Sequence, residues 1–287
     1  MKNRRPLHNR TVRILITNDD GIAAPGLRTL VDVARGFGEV KVFAPDRERS
    51  ACAHGMTMRE PLRVVEASGL GVQAWAVSGL PADCVNMGRE LGWPDGCDLV
   101  LSGINAGPNL GFDTTYSGTV AGAMEGCAYD MPSIAVSLAS LTPEVPLDWA
   151  SCGEWLMAHL PALAAVRLPR RTFLNVNVPA LPAAQINGIR VAPLAERIYE
   201  ERIERRDDPW GNAYFWQGGA VPMGHPQPGT DVDAVRSGWV AVTPVSLDWT
   251  AHGELQRLAS SLGAVPPTLL DAAAELQPGP GGPPPQR

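Results

Sequence analysis

The residues with the clearest chemical potential are two adjacent carboxylates, Asp19 and Asp20, which follow the apolar run Ile14-Leu15-Ile16. That run has no polar break, the pattern of a strand buried on both faces as in a parallel sheet. Asn18, Asp19, Asp20 and Gly21 favour turns, so the strand is expected to stop there with two acids at its carboxyl end. In open α/β sheets, ligands bind at that end. Like charges side by side repel, and Mg²⁺ or Mn²⁺ taking carboxylate oxygens as ligands would remove the cost. An Asx-type turn that only closes a strand accounts for the same residues.

Three further segments resemble the first. An apolar run at 40–44 leads into Pro45-Asp46-Arg47-Glu48-Arg49-Ser50. Another at 99–102 leads into Gly103-Ile104-Asn105-Ala106-Gly107-Pro108-Asn109-Leu110-Gly111, and Tyr116-Ser117-Gly118-Thr119 opens a helix. On one edge of a parallel sheet these loops would bring together Asp19, Asp20, Ser50 and Asn105. That all-oxygen set suits one hard divalent cation and not zinc or copper. Ser117, Gly118 and Thr119 combine hydroxyls, a close backbone approach and a helix N-terminus, which suits phosphate; an ordinary N-cap is the competing account. Asn109 offers an amide to the same phosphate or serves as a turn residue, and Ser50 equally fits the cap of a short helix. His252, after the last strand, is a candidate general acid or phosphate contact. His54 stands near the proposed site; His8, His159 and His225 have no supporting context.

These loops need a scaffold. Strand-like runs at 14–17, 40–44, 97–103, 133–138 and 172–178 alternate with helix-like segments at 26–36, 119–128 and 147–163. In the first helix Leu27, Leu30, Val31 and Ala34 recur at helical spacing. This alternation predicts an α/β fold with a parallel sheet covered on both faces, followed by an extended arm or hairpin. The expected organisation is a disordered basic tail at 1–11 and an α/β core at 12–190. A segment at 191–262 then combines an arm or hairpin, a returning strand at 239–243 and a helix at 255–262, for oligomerisation. A largely disordered Pro/Gly-rich tail follows at 263–287. Gly69-Leu70-Gly71-Val72-Gln73-Ala74 fits a loose dinucleotide fingerprint, but it precedes a strand-like run instead of opening a helix.

Composition narrows the chemistry. A net charge of −6, with no basic clustering beyond the first ten of 287 residues, argues against binding nucleic acid as a polymer. No apolar run is long enough to span a membrane, and the basic start lacks an apolar h-region, so no secretion signal is expected. The five cysteines (Cys52, Cys84, Cys97, Cys127 and Cys152) match no zinc spacing and read as buried hydrophobes of a cytoplasmic protein. The only lysines, Lys2 and Lys41, disfavour a P-loop, Schiff-base chemistry and a phospho-receiver domain.

The chain resembles the SurE family of stationary-phase survival proteins, which are nucleotidases. The resemblance is carried by Ile14-Leu15-Ile16-Thr17-Asn18-Asp19-Asp20-Gly21-Ile22, Ala44-Pro45-Asp46-Arg47-Glu48-Arg49-Ser50 and Gly79-Leu80-Pro81-Ala82-Asp83-Cys84-Val85. It continues in the two segments from Ser102 to Gly111 and from Tyr116 to Ala121. Asn175-Val176-Asn177-Val178-Pro179, Gly229-Thr230-Asp231, and Val242-Thr243-Pro244 with Asp248, Thr250, Ala251 and His252 complete it. The likeness spans roughly residues 12–260. It implies a metal-dependent phosphomonoesterase acting on nucleoside 5′- and 3′-monophosphates, often with activity on short polyphosphate. It also implies a fold of the α/β class, a Rossmann-like three-layer α/β/α catalytic core with a mostly parallel sheet, and an extended C-terminal arm exchanged within a homodimer or homotetramer. The family's metal ligands fall on Asp19, Asp20, Ser50 and Asn105, its phosphate contacts on Asn109, Ser117, Gly118 and Thr119, and a histidine proposed as catalytic in some members on His252. Ala23 and Leu80 depart from commoner polar residues without touching these positions. An aspartyl-phosphate phosphatase fits less well, because it uses Asp-x-Asp and a later lysine. A non-enzymatic nucleotide-binding regulatory module is the alternative function.

Overall fold

The computed structural model describes residues 11–141, 145–196, 202–218 and 227–265. The tails expected at 1–11 and 263–287 lie outside these residues, apart from Thr11 and 263–265. In chain order the elements are β1 (Arg13–Thr17), α1 (Pro25–Arg35), β2 (Glu39–Pro45), β3 (Val64–Ala67), β4 (Gln73–Val77) and α2 (Pro81–Met87). There follow β5 (Leu99–Ala106), α3 (Gly118–Ala128), β6 (Ser133–Ala139), α4 (Trp149–Ala165), β7 (Thr172–Pro179) and β8 (Ile189–Val191). The last are β9 (Arg202–Asp207), β10 (Ala213–Gly218), α5 (Asp231–Arg236), β11 (Val240–Ser246) and α6 (Leu255–Leu262).

The main sheet runs β3-β4-β2-β1-β5-β6-β7-β11-β8. Its six central strands from β4 to β7 are parallel. Numbered among themselves in chain order they read 3-2-1-4-5-6, the doubly wound order with a switch point between the first and fourth strands, here β1 and β5. The burial explains the unbroken apolar runs. Ile14 and Ile16 join a core with α1 and α4 residues such as Leu27, Leu30, Trp155 and Leu156. Leu15, between them, joins the opposite core with Cys84 and Val85 of α2. Helices therefore cover both faces, as the three-layer expectation requires.

Helix α3 lies unusually close to this sheet because Gly118, Gly122 and Gly126 recur every four residues on one face. A Cβ on Gly122 would stand 2.6 Å from Ser102 Oγ and 2.7 Å from Thr17 Cγ2, and one on Gly126 would stand 2.8 Å from Val100 Cγ2. The helix backbone thus rests directly on the side chains of the strands.

The C-terminal part differs from the expected division at residue 190. The returning strand expected at 239–243 is β11, and it belongs to the core: it pairs antiparallel with β7 inside the main sheet and parallel with β8. Val240, Ala241, Val242 and Thr243 are all buried, so both faces of this strand need cover. One compact unit accordingly extends to Leu247. Only β9 and β10 form a separate antiparallel pair, with Ile203, Tyr214, Phe215 and Trp216 exposed. Residues 248–265 belong to a second unit containing the turn His252–Glu254 and α6, which ends at Gly263 with φ +62°.

Asp231 explains why a short Gly-Thr-Asp motif matters structurally. Its buried carboxylate accepts hydrogen bonds from the backbone N–H groups of Gly111 (2.8 Å), Ala195 (2.9 Å) and Val232 (2.9 Å). Removing it strands buried donors. Asp231→Ala is expected to cost about 2–4 kcal/mol in urea unfolding, from roughly 1–3 kcal/mol per unsatisfied group. A loss under about 0.5 kcal/mol, the range of ordinary surface substitutions, would show that the N–H groups find other partners.

Candidate active site

The loops at the carboxyl ends of β1 and β2 are held together by main-chain bonds before any side chain is considered. Ile22 N–H donates to the Pro45 carbonyl at 2.8 Å, and Arg49 N–H donates to the Asp19 carbonyl at 2.7 Å. Gly21 makes the crossing possible: its φ is +97°, and a Cβ there would stand 3.0 Å from the Arg47 carbonyl carbon. The loops after β1 and β2 are therefore locked side by side, which brings Ser50 alongside the two aspartates.

Asp19 is buried and faces the first turn of α3. Thr119 Oγ1 donates to Asp19 Oδ1, and the backbone N–H groups of Gly118 and Thr119 also favour its charged form. Burial outweighs them and raises the carboxyl above its usual range. Gly118 is required here by space alone, since a Cβ would lie 2.6 Å from Asp19 Cβ and 2.8 Å from Asp19 Oδ2. Asp20 Oδ2 accepts from Ala106 N–H at 3.1 Å, across the switch point. Burial, then the Asp19 charge, pushes Asp20 up to about 6; the Ala106 bond opposes this and Glu48 adds to it.

Asn105 donates from Nδ2 to the Gly107 carbonyl at 3.0 Å, which commits the nitrogen and leaves Oδ1 as its free donor atom for a cation. Ser50 is exposed, and its Oγ donates to Glu48 Oε1 at 2.7 Å. Asn109 is tied down from below. Its N–H donates to Asn177 Oδ1 at 2.9 Å, its Nδ2 donates to Ser137 Oγ at 2.8 Å, and its carbonyl accepts from Asn175 (2.8 Å) and Asn177 (3.0 Å). One of its amide hydrogens is thus already used inside the protein. Ser117 caps α3, accepting from Val120 N–H at 3.1 Å, so the cap account of this serine holds in the structure.

Asp19, Asp20, Ser50, Asn105, Asn109 and Ser117 line one cleft of about 510 Å³. Gly118 and Thr119 stand directly against Asp19. His252 lies in the separate unit 248–265, where its Nε2 is 2.6 Å from Asp248 Oδ2 and that bond holds the Asp248 carboxyl down near 2. His54 instead meets buried Glu125 at 2.7 Å, and Asn86 Nδ2 donates to the same carboxylate at 2.9 Å. The Cys52 thiol is pushed up to about 11 by burial and by the Asp19 charge, so it is protonated and a poor nucleophile.

Several lining residues escaped the sequence reading: Glu48, Asp113, Tyr116, Trp149 and the first turn of α1. Glu48 lies in a charged stretch between Arg47 and Arg49, where nothing in the local pattern separates a cleft carboxylate from a solvated one. Asn175 and Asn177 carried a readable signal, as amides at buried positions of a central strand need dedicated partners. Trp149 carried none, since its approach depends on how α4 packs against α1.

The donor set fits a hard divalent cation. Two carboxylates, one amide oxygen and one hydroxyl converge, and both carboxyls are raised by burial, with mutual repulsion adding at Asp20. A bound cation would relieve both costs. Among the described residues no three or more His, Cys, Asp or Glu side chains are grouped so as to hold a metal ion by themselves, and no helix is long and apolar enough to cross a membrane.

Comparison with known proteins agrees with this architecture. The family model described as Survival protein SurE matches residues 14–201. A 5′-nucleotidase SurE 1 from Thermus thermophilus is 47% identical over 260 residues, covering 89% of this chain and all of that protein. A 5′-nucleotidase SurE from Heliobacterium modesticaldum is 44% identical over 254 residues, covering 88% of this chain and 92% of that one. The crystal structure of a SurE protein from Aquifex aeolicus superposes with a TM-score of 0.76 at 37% identity, over 87% of this chain and 99% of that one. A family model matching well over half the chain, near full-length relatives and a shared fold together place this chain in the SurE family.

Proposed function

We propose that this chain is a 5′-nucleotidase that hydrolyses the phosphomonoester of nucleoside 5′-monophosphates, releasing nucleoside and phosphate. The observation that carries the reading is the convergence of Asp19, Asp20, Ser50 and Asn105 with the capped N-terminus of α3 in one cleft. The names of the relatives support the reaction class. The finer reading adds dependence on one divalent cation per subunit, Mg²⁺ or Mn²⁺, and activity on 3′-monophosphates and short polyphosphate. It also places the protein in the cytoplasm as a homodimer or homotetramer joined through the segment after residue 190.

In this reading Asp19, Asp20, Ser50 and Asn105 hold the cation, which when bound lowers the pKa of water and withdraws charge from the phosphate. The chain's own groups do the rest. Asp20 Oδ1, the oxygen not held by Ala106, is placed to take the proton of a water attacking phosphorus in line. A new oxygen–phosphorus bond forms as the bond from phosphorus to the ribose oxygen breaks, and that oxygen gains a proton. The family resemblance assigns this proton donation to His252, a residue of the unit 248–265. Ser117, Gly118, Thr119 and Asn109 are assigned the non-bridging oxygens, whose charge the positive end of α3 favours.

The direct test is phosphate release from nucleoside 5′- and 3′-monophosphates with Mn²⁺, Mg²⁺ or EDTA. Release that requires a cation and favours nucleotides over an aryl phosphate is expected; folded protein that binds nucleotides without turnover would favour the regulatory-module alternative. Asp19→Asn and Asp20→Asn are each expected to lower kcat by about 100-fold or more. Their thermal midpoints without metal should equal or exceed the parent's, because each removes a buried charge. Unchanged turnover in both variants would overturn the assignment.

The raised Asp19 and Asp20 carboxyls also set a pH signature. A carboxyl raised on folding contributes stability that is complete below its unfolded value and is lost as pH rises through its folded value, about 6 for Asp20. The metal-free protein should therefore lose stability between about pH 4 and 6 at this site. Added Mn²⁺ should raise the thermal midpoint more at pH 7.5 than at pH 5, where protons compete. Equal shifts at both values would separate the cation from these carboxylates.

A further inference from the structure

We infer that Trp149 is the platform on which the nucleobase of the substrate stacks. The inference rests on the phosphomonoesterase reading of the cleft and adds the part of the substrate that reading leaves unassigned. A cleft of about 510 Å³ is far larger than a phosphate needs and matches the range of sites that enclose drug-sized ligands. Its lining is chemically divided. Asp19, Asp20, Glu48, Ser50 and Asn105 supply oxygen, whereas Ala24, Pro25, Gly26 and Trp149 supply an apolar wall.

The position of Trp149 is built, not incidental. It is the first residue of α4, and Asp148 before it caps the helix by accepting from Ser151 N–H (3.0 Å) and Ser151 Oγ (2.6 Å). The indole packs onto the start of α1, with Cζ3 only 2.8 Å from where a Cβ on Gly26 would stand. Gly26 in turn lies against the Ile104 carbonyl, 2.0 Å from the same imaginary Cβ, immediately before Asn105. Through Gly26 the ring is anchored to the start of α1, half-buried against the core and lining the cleft. A nucleoside monophosphate presents a phosphate at one end and a flat aromatic base at the other. With the phosphate at the oxygen-rich end, the apolar wall is left for the base. An aromatic face accepts any base, so this contact favours nucleotides over other phosphomonoesters without selecting among purines and pyrimidines. Tyr116, the other aromatic of the lining, adjoins Ser117 at the phosphate end.

The test compares the full-length protein with Trp149→Ala, Trp149→Phe and Tyr116→Ala. The assays are hydrolysis of adenosine 5′-monophosphate and of ribose 5-phosphate with Mn²⁺, and calorimetric binding of adenosine, which has the base and no scissile phosphate. Trp149→Ala should raise KM for the nucleotide and weaken adenosine binding by about 10-fold, the order expected for one lost base–aromatic stack. Its kcat, and its KM for ribose 5-phosphate, should stay at the parent's values, and Trp149→Phe should restore most of the affinity. Parent-like behaviour of Trp149→Ala, equal losses on both substrates, no adenosine binding by the parent, or an effect found only in Tyr116→Ala would each overturn the platform. A parent protein that binds adenosine through Trp149 but hydrolyses nothing would keep the platform and remove the hydrolytic reading.

Discussion

The structure depends on how closely α3 can approach the ends of β1 and β5. A helix with ordinary side chains on its inner face stands about 10 Å from a sheet, too far for its first-turn backbone to reach a strand-end carboxylate. Three glycines spaced by four remove that layer, and the last available gap is closed by Gly118 against Asp19. The rest of the site follows from this contact. Asp19 is buried because the helix covers it, its carboxyl rises because it is buried, and Asp20 rises through its own burial and then through the Asp19 charge beside it.

That arrangement puts a carboxylate where a phosphate would otherwise be welcome. The N–H groups of Gly118 and Thr119 and the Thr119 hydroxyl already favour the charged form of Asp19. The positive end of α3 therefore offsets part of the cost of an acid in a poorly solvated place, while burial still raises the carboxyl. A cation drawing on Asp19 and an anion drawing on the same helix end would meet there, each lessening the cost of the other. Glu48, joined to Ser50 Oγ, places a third carboxylate on the cleft wall and adds to the repulsion at Asp20.

Much of the core was legible because its signals are local. Unbroken apolar runs at 14–16 and 99–101 could only be strands covered twice, and the helical spacing of Leu27, Leu30, Val31 and Ala34 recovered α1 within a residue at each end. Helices α2 and α5 escaped because seven and six residues are too few to show a period. The boundary at 190 failed because the charged, aromatic hairpin from Arg202 to Gly218 interrupts the core rather than ending it; β11 returns to a slot beside β7 that no local pattern announces. At the site, residue types identified Asp19, Asp20, Ser50 and Asn105 as partners, but not what each already holds. That Asn109 spends an amide hydrogen on Ser137, and that Trp149 reaches the cleft, are facts of packing between distant segments.

The short connection leaving β5 is constrained in a way most loops are not. Its residue 109 is gripped through both N–H and carbonyl by amides of β7, and two residues later the N–H of Gly111 is gripped by Asp231, more than a hundred positions downstream. Surface connections ordinarily absorb insertions and deletions, which is how protein lineages change length. Here a single added or missing residue would put two anchors out of phase with partners that cannot follow. This loop should keep its length over evolutionary time even while its flanks drift.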